Sequence, residues 1–296
     1  MTRFTTQLHT QLRSIRPQPP SARQPQSTPL ARSVPKAPPD APVLVAVAHG
    51  SRDPEALRTV RALLASVRAS RPGLRVELGH IELNEPALPA TLAALPAGSR
   101  AVLVPLLFGR GHHVKHDIPR ALAGAAQLRA AVAEPLGPHP LLAAALRDRL
   151  LEAGWAGSEH PGHASAVVLA TAGSRDAESA EGAGRTAAQL RELLGGGVPV
   201  MPAYASAARP TVAEAVRALR TAGHGRIALA SCFTAPGHFA ARCAAEAPWI
   251  ASAPIGAHPA LAQLVLHRFD EARAVAADAA DAAAGTGSRH APLVGA

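Results

Sequence analysis

Val43-Leu44-Val45-Ala46-Val47-Ala48-His49-Gly50-Ser51-Arg52-Asp53-Pro54 is the stretch on which the fold depends. Its unbroken apolar run is short and has no polar alternation, so it reads as a buried strand of a parallel sheet. Asp53 followed by Pro54 reads as an N-cap with proline at the first helical position. That order places His49 at the carboxyl end of a strand, the edge where open α/β sheets bind their ligands.

Working outward, Ala101–Phe108 is another apolar run, and it leads into Gly111-His112-His113-Val114-Lys115-His116-Asp117-Ile118-Pro119. Two strand ends delivering imidazoles to one sheet edge make a candidate metal site. Between them a helix is predicted from Pro54 to about Ser70, with Leu57, Val60, Leu63, Leu64 and Val67 as its buried stripe and Arg71-Pro72-Gly73 as its stop. A strand over about Arg75–Leu83 and a helix opening at Pro86 follow it. Beyond the histidines come a helix near Pro119–Leu128, a short strand near Ala131–Glu134 and a helix at Pro140–Leu151, with Asp117 as the expected cap of the first. Strands alternating with helices imply a parallel sheet with right-handed crossovers.

The unit recurs. Gly50-Ser51-Arg52-Asp53 returns as Gly173-Ser174-Arg175-Asp176, Val102–Phe108 as Ile227–Phe233, His113 as His238, and Gly137-Pro138-His139-Pro140 as Gly256-Ala257-His258-Pro259. Landmarks in the same order, roughly 120 residues apart, indicate a duplicated α/β domain. The expected organisation is a basic Pro/Gln/Ser-rich disordered tail over residues 1–40, an N-terminal lobe over 41–153, a C-terminal repeat over 164–273 and an Ala/Gly-rich flexible tail over 274–296. His139 and His258, before proline in both copies, are architectural or substrate-facing.

Composition narrows the function. The chain has 296 residues, 48% of them hydrophobic but only 3% aromatic, so its cores rest on Ala, Val and Leu. No apolar run approaches the ~20 residues of a membrane span, and no secretory signal is visible, so a cytoplasmic location is expected. Cys232 and Cys243 make no CxxC pair and read as small buried residues. A net charge of +9 calls for an anionic partner. Nucleic acid is a poor fit, because no zinc-finger spacing, RNP-like aromatic motif or basic run is present.

The two copies differ where chemistry would sit. Ala172 stands opposite His49, Ser206 opposite Glu82 and Arg209 opposite Glu85, while His238 alone persists. The candidate site is therefore His49, Glu82 and His113. Two neutral imidazoles bind a divalent transition metal, and a carboxylate can complete the set or take up protons. A permanent structural zinc site would usually have four protein ligands. Fewer ligands with an open face suit a metal that is passed on or that activates water.

Ala48-His49-Gly50-Ser51-Arg52, Ile81-Glu82-Leu83-Asn84-Glu85-Pro86, and Val104-Pro105-Leu106-Leu107 with the histidine stretch resemble the sirohydrochlorin chelatases. These class II chelatases insert Fe2+ or Co2+ into a tetrapyrrole, toward sirohaem or cobalamin. The likeness covers about 42–151, with a weaker echo over about 166–269. It implies two duplicated flavodoxin-like lobes, with parallel sheets flanked by helices and a cleft between them. It also implies that His49 and His113 act at the metal, that Glu82 assists, and that no cofactor is permanently bound.

Sirohydrochlorin, a polycarboxylate, is the expected partner, and Ser51, Arg52, Arg110 and Lys115 are the candidate substrate contacts. Glu85 is the alternative to Glu82 for deprotonation. The absence of a long histidine-rich tail and of clustered cysteines leans toward iron, with Co2+ and Ni2+ open. A non-catalytic tetrapyrrole or metal carrier is the alternative, and a metal-dependent hydrolase lacks a supporting motif. With two lobes in one chain, a monomer is as natural as a homodimer.

Overall fold

The computed structural model describes residues 41–156 and 164–287. The N-terminal tail, most of the segment between the repeats, and residues 288–296 lie outside the described residues. In the first repeat, β1 is Val43–Ala48, β2 Val76–His80, β3 Arg100–Pro105 and β4 Arg129–Val132. They form one parallel sheet in the order β2-β1-β3-β4. In the second repeat, β5 is Ser165–Thr171, β6 Val200–Tyr204 and β7 Arg226–Ser231, ordered β6-β5-β7. The counterpart of β4 is reduced to one bridge between Leu229 and Ala251.

The opening stretch behaves as its sequence requires. All six residues of β1 are buried, because side chains alternate to two covered faces. Leu44, Ala46 and Ala48 join a core shared by both repeats, while Val43, Val45 and Val47 pack with Leu88 and Leu92 of α2 (Leu88–Ala93) and Ile118 of α3 (Ile118–Ala123). Helix α1 spans Pro54–Ser70, and the Asp53 carboxylate caps it by accepting the Glu55 N–H at 2.9 Å. Its buried stripe is Ala56, Val60, Leu63, Leu64 and Val67; Leu57 stands half-buried at the margin, and Ala56 takes its expected place.

Several expectations change at element ends: α2 opens at Leu88 and not at Pro86, α3 ends at Ala123 and not near Leu128, and β4 covers Arg129–Val132 and not Ala131–Glu134. β2 stops at His80 rather than near Leu83, because Leu83 adopts a left-handed backbone with φ 64°. The predicted C-terminal tail is helical as far as Gly287, within α8 (Pro259–Gly287). Alanine is the strongest helix former, so a composition that looks featureless still propagates a helix.

The last helix of each repeat crosses to the other. α4 (Pro140–Glu152) packs on α5 (Ala177–Leu193) and β7, whereas α8 packs on α1, β3 and β4. Equivalent arginines fasten the exchange. Arg149 of α4 donates to the Ile255 carbonyl at 3.0 and 2.7 Å, and Arg268 of α8 donates to Pro135 at 2.9 Å and Pro138 at 3.3 Å. Sequence order and spatial lobe therefore part at these two helices, and the described residues belong to one compact unit. The outer faces of the second repeat are covered by α6 (Val212–Thr221) and α7 (His238–Ala245).

Candidate metal site

His49, Glu82 and His113 meet. One ligand atom from each lies within 4.8 Å of the others, at the carboxyl edge of the first sheet. Hydrogen bonds that outlast the strands set two of the three: the Ile81 N–H donates to Ala48 and the Glu82 N–H to His49, both at 2.9 Å. The close approach needs glycine next door. At Gly50 φ is +102°, and a β-carbon would overlap the Glu82 carbonyl oxygen. Asn84 closes the same corner, its Oδ1 accepting the Ser51 N–H at 2.6 Å.

His113 arrives from β3 through a single π-helical turn, His113–Asp117, a distortion frequent at functional sites. The turn brings Asp117 back onto His113, whose Nδ1 lies 2.7 Å from Asp117 Oδ2. A carboxylate only accepts, so Nδ1 carries the proton and Nε2 is left as the ligand atom. The bond from His113 holds the Asp117 carboxyl below its ordinary range. His49 follows the same rule: its Nδ1 donates to the Gly50 carbonyl at 3.2 Å, leaving Nε2 available. The two rings stand edge to face, their centroids 4.7 Å apart.

Asp117 therefore does not cap α3 with its side chain as expected, because it is itself in helical conformation, continuous with the π-turn. Its spacing of four residues from His113 is compatible with the contact but does not reveal the π-turn that makes it. Glu85 accepts the Ala87 N–H at 2.9 Å, so of the two glutamates only Glu82 joins the histidines. His112 and His116 are exposed and pair ring to ring at 4.7 Å, outside the trio.

The expected substrate contacts divide. Arg52 is exposed and pairs with no carboxylate among the described residues. Ser51 Oγ accepts the Asp53 N–H at 3.1 Å, as Ser174 does for Asp176, which is a turn-forming role common to both copies. Arg110 is paired with Glu134, and Lys115 with Asp176 and Glu178. His139 and His258 prove architectural: each Nδ1 accepts a backbone N–H, of Leu141 at 3.1 Å and of Ala260 at 3.2 Å, at the start of α4 and α8.

The CbiX family model matches residues 43–153 and again 166–272, both copies of the repeat. The chain belongs to the CbiX family. Among curated relatives, it is 37% identical over 81 residues to a sirohydrochlorin cobaltochelatase of Methanococcus maripaludis, covering 27% of this chain and 56% of that protein. A sirohydrochlorin cobaltochelatase of Sulfurisphaera tokodaii is 40% identical over 81 residues, covering 26% of this chain and 66% of the relative. The match thus spans little more than half to about two thirds of these relatives' length. Among solved structures, SirB from Bacillus subtilis with Fe3+ superposes with a TM-score of 0.63 at 25% identity, over 78% of this chain and 94% of that one. The two chains share the CbiX-family fold.

Proposed function

We propose that this protein inserts a divalent metal, Fe2+ or Co2+, into sirohydrochlorin. The observation that carries the reading is the convergence of His49, Glu82 and His113 within 4.8 Å, in the repeat that kept its polar strand ends. Relatives named for cobalt insertion into sirohydrochlorin and a fold neighbour solved with iron support the same chemistry.

The metal is substrate and must be held loosely. Two imidazole Nε2 atoms and one carboxylate fall short of the four ligands of a permanent site, leaving an open face toward the macrocycle. Insertion also removes two pyrrole protons. Glu82, released from the metal as the macrocycle takes it, accepts these protons one at a time and passes each to the solvent its exposed carboxylate faces, while Asp117 keeps His113 in the tautomer that binds metal. The adjoining cavity, lined by Ile81, Glu82, Leu88, Pro89 and Asp117, holds about 220 Å³. That is below the roughly 300–1,000 Å³ of ordinary small-molecule sites, so a tetrapyrrole would lie across the open edge. Exposed His49, Glu82 and Arg52 suit such a substrate, and the net charge of +9 attracts its carboxylates.

The test is anaerobic turnover on sirohydrochlorin, followed by absorbance, with Fe2+ and Co2+ offered separately. Multiple turnovers abolished by His49→Ala and by His113→Ala are expected. Tight tetrapyrrole binding with no insertion would leave a carrier instead of an enzyme.

A further inference from the structure

Lys115 lies in the π-turn between His113 and Asp117, and its charge is already engaged. Nζ stands 2.6 Å from Asp176 Oδ2 and 2.7 Å from Glu178 Oε1. Both acids sit at the start of α5 in the second repeat, so this contact joins the metal-site loop to the other copy. Asp176 is fixed independently, because its other oxygen accepts the Glu178 N–H at 3.0 Å and caps the helix.

The loop ahead of His113 is seated on the same place. A β-carbon on Gly111 would stand 3.2 Å from Ser174 Oγ, and one on Gly109 3.1 Å from Ser179 Oγ, so the backbone approaches with little room to spare. Close packing holds the entry of the loop, and the ammonium group holds its far end.

The packing has a looser mirror image, a β-carbon on Gly237 standing 3.6 Å from Ser51 Oγ, but the charged contact is one-sided. Asp176 and Glu178 are the repeat counterparts of Asp53 and Glu55, but the counterpart of Lys115 is Ala240, which is buried and uncharged. The copy that lost its ligands holds the loop of the copy that kept them, and the reverse contact cannot form.

We infer that Lys115, Asp176 and Glu178 form a clamp between the repeats that positions the His113 loop for metal binding. The metal part of this inference rests on the chelatase reading; the clamp itself does not. Lys115 is then a positioning residue and not a contact for substrate carboxylates. Exposed ion pairs add little to global stability, so the consequence belongs in the loop's order and in metal affinity.

The experiment compares full-length wild type, Lys115→Met, Asp176→Asn/Glu178→Gln and the triple variant. Asparagine preserves the α5 cap while removing the charge. Hydrogen exchange over residues 111–118 reads the loop, an anaerobic Co2+ titration by visible absorbance reads the site, and KM for sirohydrochlorin reads the substrate. Exchange should rise several-fold and the Co2+ Kd about tenfold in each variant, the usual scale for groups that support a ligand. The triple variant should be no worse than either parent, because one contact is shared, and KM should hold.

Unchanged exchange and Co2+ affinity, with a raised KM in Lys115→Met, would overturn the clamp and make Lys115 a substrate ligand. Failure of the chelatase reading looks different. Wild type would then insert no metal into sirohydrochlorin, while faster exchange and weaker Co2+ binding in the clamp variants would still support the positioning role.

Discussion

At Gly50 the backbone takes a left-handed φ and the missing β-carbon admits the Glu82 carbonyl; at Gly173, φ +87°, the same absence admits that of Ser206. The two positions are a matched pair, one beside the ligands and one beside their vacated counterparts. A left-handed backbone costs an alanine roughly 1–2 kcal/mol before any overlap is counted. Gly50→Ala and Gly173→Ala should therefore both lower the thermal midpoint, but only Gly50→Ala should also weaken Co2+ binding, because it pushes apart His49 and Glu82. Equal losses of metal affinity in the two variants would contradict the assignment of the site to the first repeat. Asp117→Ala removes the acceptor for His113 Nδ1 and should raise the Co2+ Kd about 10- to 100-fold. Its partial recovery in Asp117→Asn, whose amide oxygen can still accept, would separate orientation from charge. The trio was legible because each ligand follows a recognisable motif at a strand end and because Ala172 and Ser206 mark what the second copy gave up. The roles of Asp117, Asn84 and Lys115 were not legible, since they depend on a π-turn and on contacts between segments 33 and 61 or more residues apart in the chain.

Among the elements, β1 and α1 could be read almost to the residue, because an all-buried strand and a capped helix leave unambiguous patterns. The end of β2 could not, since a left-handed residue at Leu83 has no mark in a sequence that offers no glycine there. The helix starts at His139 and His258 carry a further consequence. Each ring caps through an unprotonated Nδ1. Burial first, then Arg268 and His267 around His139, holds its pKa below the ordinary 6.5, against a smaller opposing pull from Glu271. Burial and Arg149 do the same to His258, opposed by Asp148 and Glu152. Each group is neutral in the native state and binds a proton more readily when unfolded. Its contribution is therefore fully present above pH 6.5 and is lost as the pH falls through 6.5 toward the depressed native value. Urea unfolding at about pH 7.5 and about pH 5.5 should show the loss, each cap being worth about 1 kcal/mol. His139→Asn/His258→Asn retains capping oxygens that do not titrate, and should shrink the difference between the two pH values. A difference as large as that of wild type would move the pH dependence to other groups.

For the molecule as a whole, duplication explains more than the doubled motifs. Because α4 packs against the second sheet and α8 against the first, each sheet keeps a smaller core of its own on one face, and on the other the repeats join in a single large buried cluster. Phe269, on α8, is almost fully buried in that cluster together with Leu44 and Leu63 of the first repeat. The exchange was invisible in the sequence, since a periodic helix shows which face is apolar but not which sheet receives it. It also constrains what a single repeat can do. A fragment of residues 41–156 would carry α4 with no second sheet to receive it, and an uncovered apolar face where α8 belongs. Two such fragments relieve both defects by sending α4 across to each other, with Arg149 donating to Leu136, the counterpart of Ile255. Sedimentation should find this fragment dimeric at micromolar concentration, and Arg149→Met should shift it toward unfolded monomer. A cooperatively folded monomer would show that α4 can fold back onto its own sheet, and that the exchange comes from the tether between the repeats and not from the packing of their helices.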